Sequence, residues 1–343
     1  MYSRRASPTR KIFKKIQICC RTRIRTWNKG FKGLCDAISP SGSKANYSII
    51  SLSCHHMLTL KNKRLSLTIA PEYGSNMVSF KSGKQELIYC DRKLLPNHDF
   101  TGNFILWPFP NRVRNRCYQF NRRRYSLAEV QVSQGNFPLI HGLVRDETWQ
   151  FKTNKNTLTA WIDITPQLKY WDCWPWPSRL TLKYTLKTNR ARIDYTVANF
   201  AKTELGFGFA LHPLFKNAQS LKVPAKYVME SDKDLLPTGK LFKANLNQLT
   251  PVKELNLDHV FTGLTGNQQI NFNNGIRLTI KTSPDFTHCV VYTGEKEKFT
   301  CVESQTCSTD AHNLDSQGYI KQAHLIRVKP GGVHHGWLKY QIS

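Results

Sequence analysis

Acids are what this sequence has least of. Asp and Glu number 23 against 50 Lys and Arg, a net +27 over 343 residues. Before Met57 the imbalance is extreme, with 12 basic residues and the single acid Asp36, and this leaves +16 for the other 287 residues. Such a charge would suit nucleic acid or an acidic surface. It comes without a zinc-finger, RRM-like or KH-like pattern and without a basic helical stripe, so no specific nucleic-acid partner is expected. No apolar run approaches the ~18 residues that a membrane span needs, so no membrane role is expected either. The 10 cysteines include no C-x-x-C pair; Cys19 and Cys20 are adjacent and Cys301 and Cys307 lie six apart. That spacing does not indicate zinc ligation. It reads instead as reduced, mostly buried thiols in a cytoplasmic protein. Helical stripes longer than two turns, internal repeats and a linker within 57–343 are also missing.

What the chain does have after Met57 is period-two alternation. Leu65, Leu67 and Ile69 alternate with polar residues until Pro71 and Gly74 break the run. Leu180, Leu182, Tyr184 and Leu186 alternate, T-N-R-A at 188–191 turns, and Ile193, Tyr195 and Val197 alternate again, which predicts a hairpin of half-buried strands. Ile276, Leu278 and Ile280 repeat the pattern, and Leu325 and Val328 do so less cleanly. Many short strands between Gly, Pro and Asn turns predict an all-β fold, an antiparallel sandwich or barrel occupying 57–343. Residues 1–56 are a separate matter. Their composition cannot bury a core, and a transit peptide, a binding tail and a leader ahead of a working start at Met57 compete, with the leader preferred.

Chemistry concentrates between Phe104 and Trp149. F-I-L-W-P-F-P-N-R opens this stretch with Asn111 and Arg112, and P-L-I-H-G-L-V-R-D-E-T-W closes it with His141. Between them Tyr118, Phe120, Tyr125 and Leu127 read as a hairpin whose tip, Arg122 to Arg124, faces water and whose strands bring the two ends together. Three later segments keep company with it: G-F-G-F-A-L-H-P-L-F around His212, L-D-H-V-F around Asp258 and F-T-C-V-E-S-Q-T around Glu303. Each also has a plain structural reading. Periodicity over Phe299–Thr306 puts Cys301, Glu303 and Gln305 on one strand face, where Glu303 would ordinarily meet water. His212 and His141 could be hydrogen-bonded core residues, and Arg112 and Asp258 a surface ion pair of little energetic weight.

Together, however, P-N-R at 110–112, H-G at 141–142, H-P-x-F at 212–215, D-H-x-F at 258–261 and C-V-E-x-Q-T at 301–306 resemble the aldose 1-epimerase, or galactose mutarotase-like, family across essentially all of 57–343. The resemblance implies a large antiparallel β-sandwich with a sugar site on its concave face. It also implies interconversion of the α and β anomers of a free aldose, with a small-molecule sugar as partner, no metal or organic cofactor, and a monomer or dimer. Glu303 matches the family's base and His212 its acid; His141, Arg112, Asn111 and Asp258 match substrate-binding positions. A Trp such as Trp149, Trp174 or Trp176 could stack on the sugar or simply pack in the core. Leu143 after H-G departs from the commonest pattern, which carries a second Gly, and this leaves the sugar open. Arg114, Arg116 and Arg122 to Arg124 raise the alternative of a hexose-6-phosphate 1-epimerase. A non-catalytic carbohydrate-binding module on the same fold is the other alternative.

Overall fold

The computed structural model describes residues 57–97, 100–128, 130, 139–273, 275–296 and 298–343. The basic segment 1–56, expected to stand apart, lies outside the described residues. From Met57 on, the alternation seen in the sequence becomes two large antiparallel sheets. In the nine-stranded sheet the order is Gln150–Asn154, Thr157–Ile164, Ser178–Lys187, Arg190–Asn199, Val333–Ile342, Arg277–Thr282, Gln268–Phe272, Ala218–Lys222 and Thr250–Pro251. Leu180, Leu182 and Tyr184 lie opposite Val197, Tyr195 and Ile193. All six are buried, while their neighbours along each strand remain partly wet. The hairpin closes from Lys187 to Arg190 through the two residues Thr188 and Asn189. Each such apolar side chain taken from water contributes roughly 1.5–3 kcal/mol, which fixes the register, because a slip of one residue would turn the whole set outward.

The seven-stranded sheet runs Pro237–Lys243, Ala225–Ser231, Asp258–Leu264, His288–Tyr292, Thr300–Gln305, Ala210–Phe215, Asn103–Leu106. Its last three strands have no exposed position at all. One face, with Ile105, Leu211, Val291 and Val302, shares a single core with the nine-stranded sheet. The opposite face carries Phe104, Leu106, Ala210, Leu214 and Cys301, which pack as a second, smaller cluster with Phe299. The expectation of Glu303 on a water-facing strand is therefore corrected: Thr300–Gln305 is covered on both faces, and Glu303 is 3% exposed.

A four-stranded sheet, from Leu58–Lys61 to Gln85–Glu86, completes the major layers. Two short helices, Ala311–Ser316 and Ile320–Ala323, fit the lack of helical stripes. Among the described residues no helix is long and apolar enough to cross a membrane.

The arginine-tipped hairpin forms as Cys117–Phe120 against Arg123–Ser126. Its turn is Asn121 and Arg122, both at positive φ, as a two-residue hairpin loop of the mirror-image type requires. Arg123 and Arg124 are exposed strand residues.

Candidate active site

Sheet register assembles the central pair. His212 is the Cα partner of Phe104. Because Ala210 lies opposite Gln305 and Leu214 opposite Cys301, His212 falls opposite Glu303. The two side chains rise from the same buried face, and His212 Nε2 comes 3.2 Å from Glu303 Oε1. The imidazole stacks on the Phe104 ring, with centroids 4.4 Å apart and planes 20° from parallel.

The third member arrives from the Phe104–Trp149 stretch. Arg112 pairs with Ile140 across a two-residue ladder, and the His141 N–H donates to the Asn111 carbonyl at 3.1 Å. Asn111, His141 and Gly142 all take left-handed backbone conformations, at φ 65°, 69° and 78°. At Gly142 the fold demands it: a Cβ there would sit 2.3 Å from the Trp107 carbonyl oxygen, and the next N–H, of Leu143, donates to that same oxygen. This tight turn presents the His141 ring edge-on to His212, with centroids 4.8 Å apart and an interplanar angle of 83°. Phe100, itself 38% exposed, stands against both imidazoles at 5.3 and 5.8 Å.

Burial governs the charges. Desolvation pushes the Glu303 carboxyl up to about 8, against the pull of the Gln305 side-chain hydrogen bond and of Arg112, and the negative charge of Asp258 pushes the same way as burial. Gln305 Nε2 donates to Glu303 Oε2 at 3.1 Å. Desolvation takes His212 down to about 3, with Arg145 adding to the effect. It also holds His141 well below the ordinary imidazole range, helped by His212, Arg145 and Arg112. The contact between His212 and Glu303 is thus less a salt bridge than a neutral pair sharing one proton, resting on the carboxyl. His212 Nδ1, His141 Nδ1 and Gln305 Oε1 are buried without a hydrogen-bond partner among the described residues. Buried polar groups seldom go unpaired in proteins, so these three suit a ligand rich in hydroxyls.

The remaining expected residues flank the pair. Arg112 donates to Asn111 Oδ1 at 3.1 Å and acts electrostatically on both Glu303 and His141. Asp258 opens the strand Asp258–Leu264, opposite Tyr292. It lines a cleft beside the pair and does not touch the pair itself. Four neighbours escaped the sequence reading: Phe104 and Phe100 on the imidazoles, Arg145 with its guanidinium 5.4 Å from the Phe104 ring centroid, and Tyr292 in the cleft. Phe104 alone carried a usable signal, since pairing the F-I-L strand with the A-L-H strand puts it beside His212. None of the three tryptophans faces the site: Trp149, Trp174 and Trp176 are all buried in the main core.

The arginines offered for a phosphate are spent elsewhere. Arg114 bonds Asp310, Asp232 and the Pro237 carbonyl, Arg116 bonds the carbonyls of Leu127 and Val130, and Arg124 bonds Cys117 Sγ at 2.8 Å. As for metals, His212, Cys301 and Glu303 offer ligand atoms within 4.8 Å of one another. A borderline cation bound there would occupy the acid–base pair itself.

A buried Glu–His pair on the open face of a many-stranded antiparallel sandwich defines a galactose mutarotase-like protein. The aldose 1-epimerase family matches residues 56–341, and this chain belongs to that family. The protein YihR of Escherichia coli K12, itself uncharacterised, is 23% identical over 291 residues, which cover 78% of this chain and 92% of that protein. A galactose mutarotase-like protein from Clostridium acetobutylicum superposes with a TM-score of 0.72 at 17% identity, covering 84% of this chain and 95% of that one. The GalM/aldose epimerase homologue from C. elegans gives 0.70 at 16% identity, covering 84% and 99%. At these identities the two structures speak for the fold.

Proposed function

We propose that this protein is an aldose 1-epimerase that interconverts sugar anomers by opening and reclosing the hemiacetal ring, with Glu303 and His212 as its acid–base pair. The observation that carries this reading is their 3.2 Å contact. Ring opening removes a proton from the anomeric hydroxyl and delivers one to the ring oxygen. Both oxygens are bonded to the same carbon, so the base and the acid must be immediate neighbours. In the reactive tautomer the proton sits on His212: Glu303 takes the hydroxyl proton, His212 protonates the ring oxygen, rotation about C1–C2 turns the aldehyde, and the roles reverse on closure. General acid–base help of this kind is worth about 10²–10⁴-fold.

His141, neutral by burial, donates a hydrogen bond to the oxygen on which charge develops. Arg112, Asn111 and Asp258 hold hydroxyls, the arginine donating and the carboxylate accepting. A non-catalytic sugar-binding module would use the same fold; the presence of both the acid and the base favours catalysis.

The test is polarimetry on freshly dissolved α-D-glucose and α-D-galactose. The full chain is expected to accelerate the approach to equilibrium of at least one of them, and Glu303→Gln to lose about 10²–10⁴-fold of that acceleration. A Glu303→Gln protein as fast as wild type would dismiss the assignment.

A further inference from the structure

Beyond Asp258 the seven-stranded sheet comes apart. Ala225–Ser231 and Asp258–Leu264 pair from Ala225/Leu264 to Val228/Phe261 and no further, and an irregularity between Met229 and Ser231 bends the first of these strands away. The gap is a cleft of about 490 Å³ with Met229, Glu230, Asp232 and Phe242 on one side and Asp258 and Tyr292 on the other. That volume lies within the ~300–1,000 Å³ of pockets that bury a sizeable organic ligand.

Reach decides what such a cleft is for. Neighbouring strands stand ≈ 4.8 Å apart, so Met229, three strands from Glu303, is about 14 Å across the sheet from it. A six-membered ring built from bonds of about 1.5 Å spans less than half that distance. A single aldose with its anomeric carbon between Glu303 and His212 therefore extends no further than Asp258 and leaves the cleft empty. The cleft's chemistry selects the continuation. Three carboxylates line it, and no Lys or Arg does. Partial burial disfavours charge on Asp232, but the Leu236 and Asp234 backbone N–H groups and Arg114 outweigh it and hold the carboxyl ionised. Phe242, 55% exposed, and Tyr292 give flat apolar faces of the kind that pack against the C–H face of a pyranose. Carboxylate acceptors with aromatic walls suit a neutral, hydroxyl-rich group and repel a phosphate.

Building on the mutarotase reading, we propose that the preferred substrate is a neutral, glycosidically extended aldose, a reducing di- or oligosaccharide. Its reducing-end ring lies at Glu303 and His212, and its next sugar lies in the cleft between Asp258 and Phe242.

The test compares α-lactose, maltose and cellobiose with α-D-glucose and glucose 6-phosphate, following anomerisation by polarimetry or NMR on the full chain. At least one disaccharide is expected to exceed glucose in kcat/KM by about tenfold, through KM, with glucose 6-phosphate the poorest. Phe242→Ala is expected to remove that advantage and leave glucose unchanged. Disaccharides no better than glucose, a preference for the phosphate, or an equal loss on all sugars in Phe242→Ala would each overturn the proposal. Calorimetry on Glu303→Gln reads the cleft without turnover: disaccharide binding about tenfold tighter than glucose, lost on adding Phe242→Ala, supports it, and equal affinities overturn it. If no sugar is anomerised, the mutarotase reading fails, and the calorimetry still decides the cleft.

Discussion

Glu303 lies in a place where a carboxylate is expensive to keep ionised, and two measurable consequences follow from that one residue. With Glu303 raised to about 8 and His212 lowered to about 3, the pair carries a single proton throughout the interval between those values. The resting and reactive tautomers hold the same number of protons, so kcat/KM for the pair as a unit is expected to be level across that interval. It should fall about tenfold per pH unit above about pH 8, as the shared proton is lost. A background-corrected pH profile on α-D-glucose checks this; a rate that climbs through pH 8 would mean that Glu303 acts alone and His212 is not the acid. The second consequence is for stability. A carboxyl whose folded-state pKa is raised contributes stability fully below its unfolded value, and this is lost as pH rises through the folded value. Glu303→Gln is accordingly expected to melt higher than wild type at pH 8, by on the order of 1–3 kcal/mol, and to show no gain at pH 4, where the carboxyl is protonated folded and unfolded. Thermal unfolding at the two pH values reads the difference. The motif containing Glu303 was legible in the sequence. Its burial was not, because alternation says which residues share a face but not whether both faces are covered.

Among the elements, the turn at His141–Gly142 is the most demanding. It must bring an imidazole over His212 while its backbone presses on Trp107, and the left-handed φ and the 2.3 Å approach at Gly142 leave no room for a side chain. Gly142→Ala is expected to destabilise by roughly 1–3 kcal/mol and, by displacing His141, to lower kcat on any sugar turned over. Chemical unfolding and kinetics on the same preparation check both; unchanged stability and kcat would show that the backbone relaxes there freely. The hairpins at 117–126 and 178–199 were legible because period-two patterning and turn residues act locally. The partnership of Phe104 with His212, and the retreat of all three tryptophans into the core, depend on which distant strands become neighbours, and no local pattern carries that.

At the scale of the molecule, the many-stranded sandwich was legible from repeated alternation and the lack of helical stripes. The cleft was not, because it arises where two paired strands part. Charge is the other property of the whole, and it divides at Met57: +11 before it and +16 spread over 287 residues after it. Every residue placed at the pair or in the cleft lies between Phe100 and Glu303, so a protein beginning at Met57 is expected to keep kcat/KM on neutral sugars within about twofold of the full chain. Binding to double-stranded DNA of arbitrary sequence should behave differently. Each phosphate contact by Lys or Arg steepens the dependence of log affinity on log salt by about 0.9. Removing a segment with 12 basic residues is thus expected to weaken such binding and flatten its salt slope, without touching catalysis. Fluorescence anisotropy on a labelled duplex at several salt concentrations, with both proteins, makes the comparison. An unchanged slope would assign the non-specific attraction to the sandwich, and a parallel loss of kcat/KM would tie the basic segment to the site.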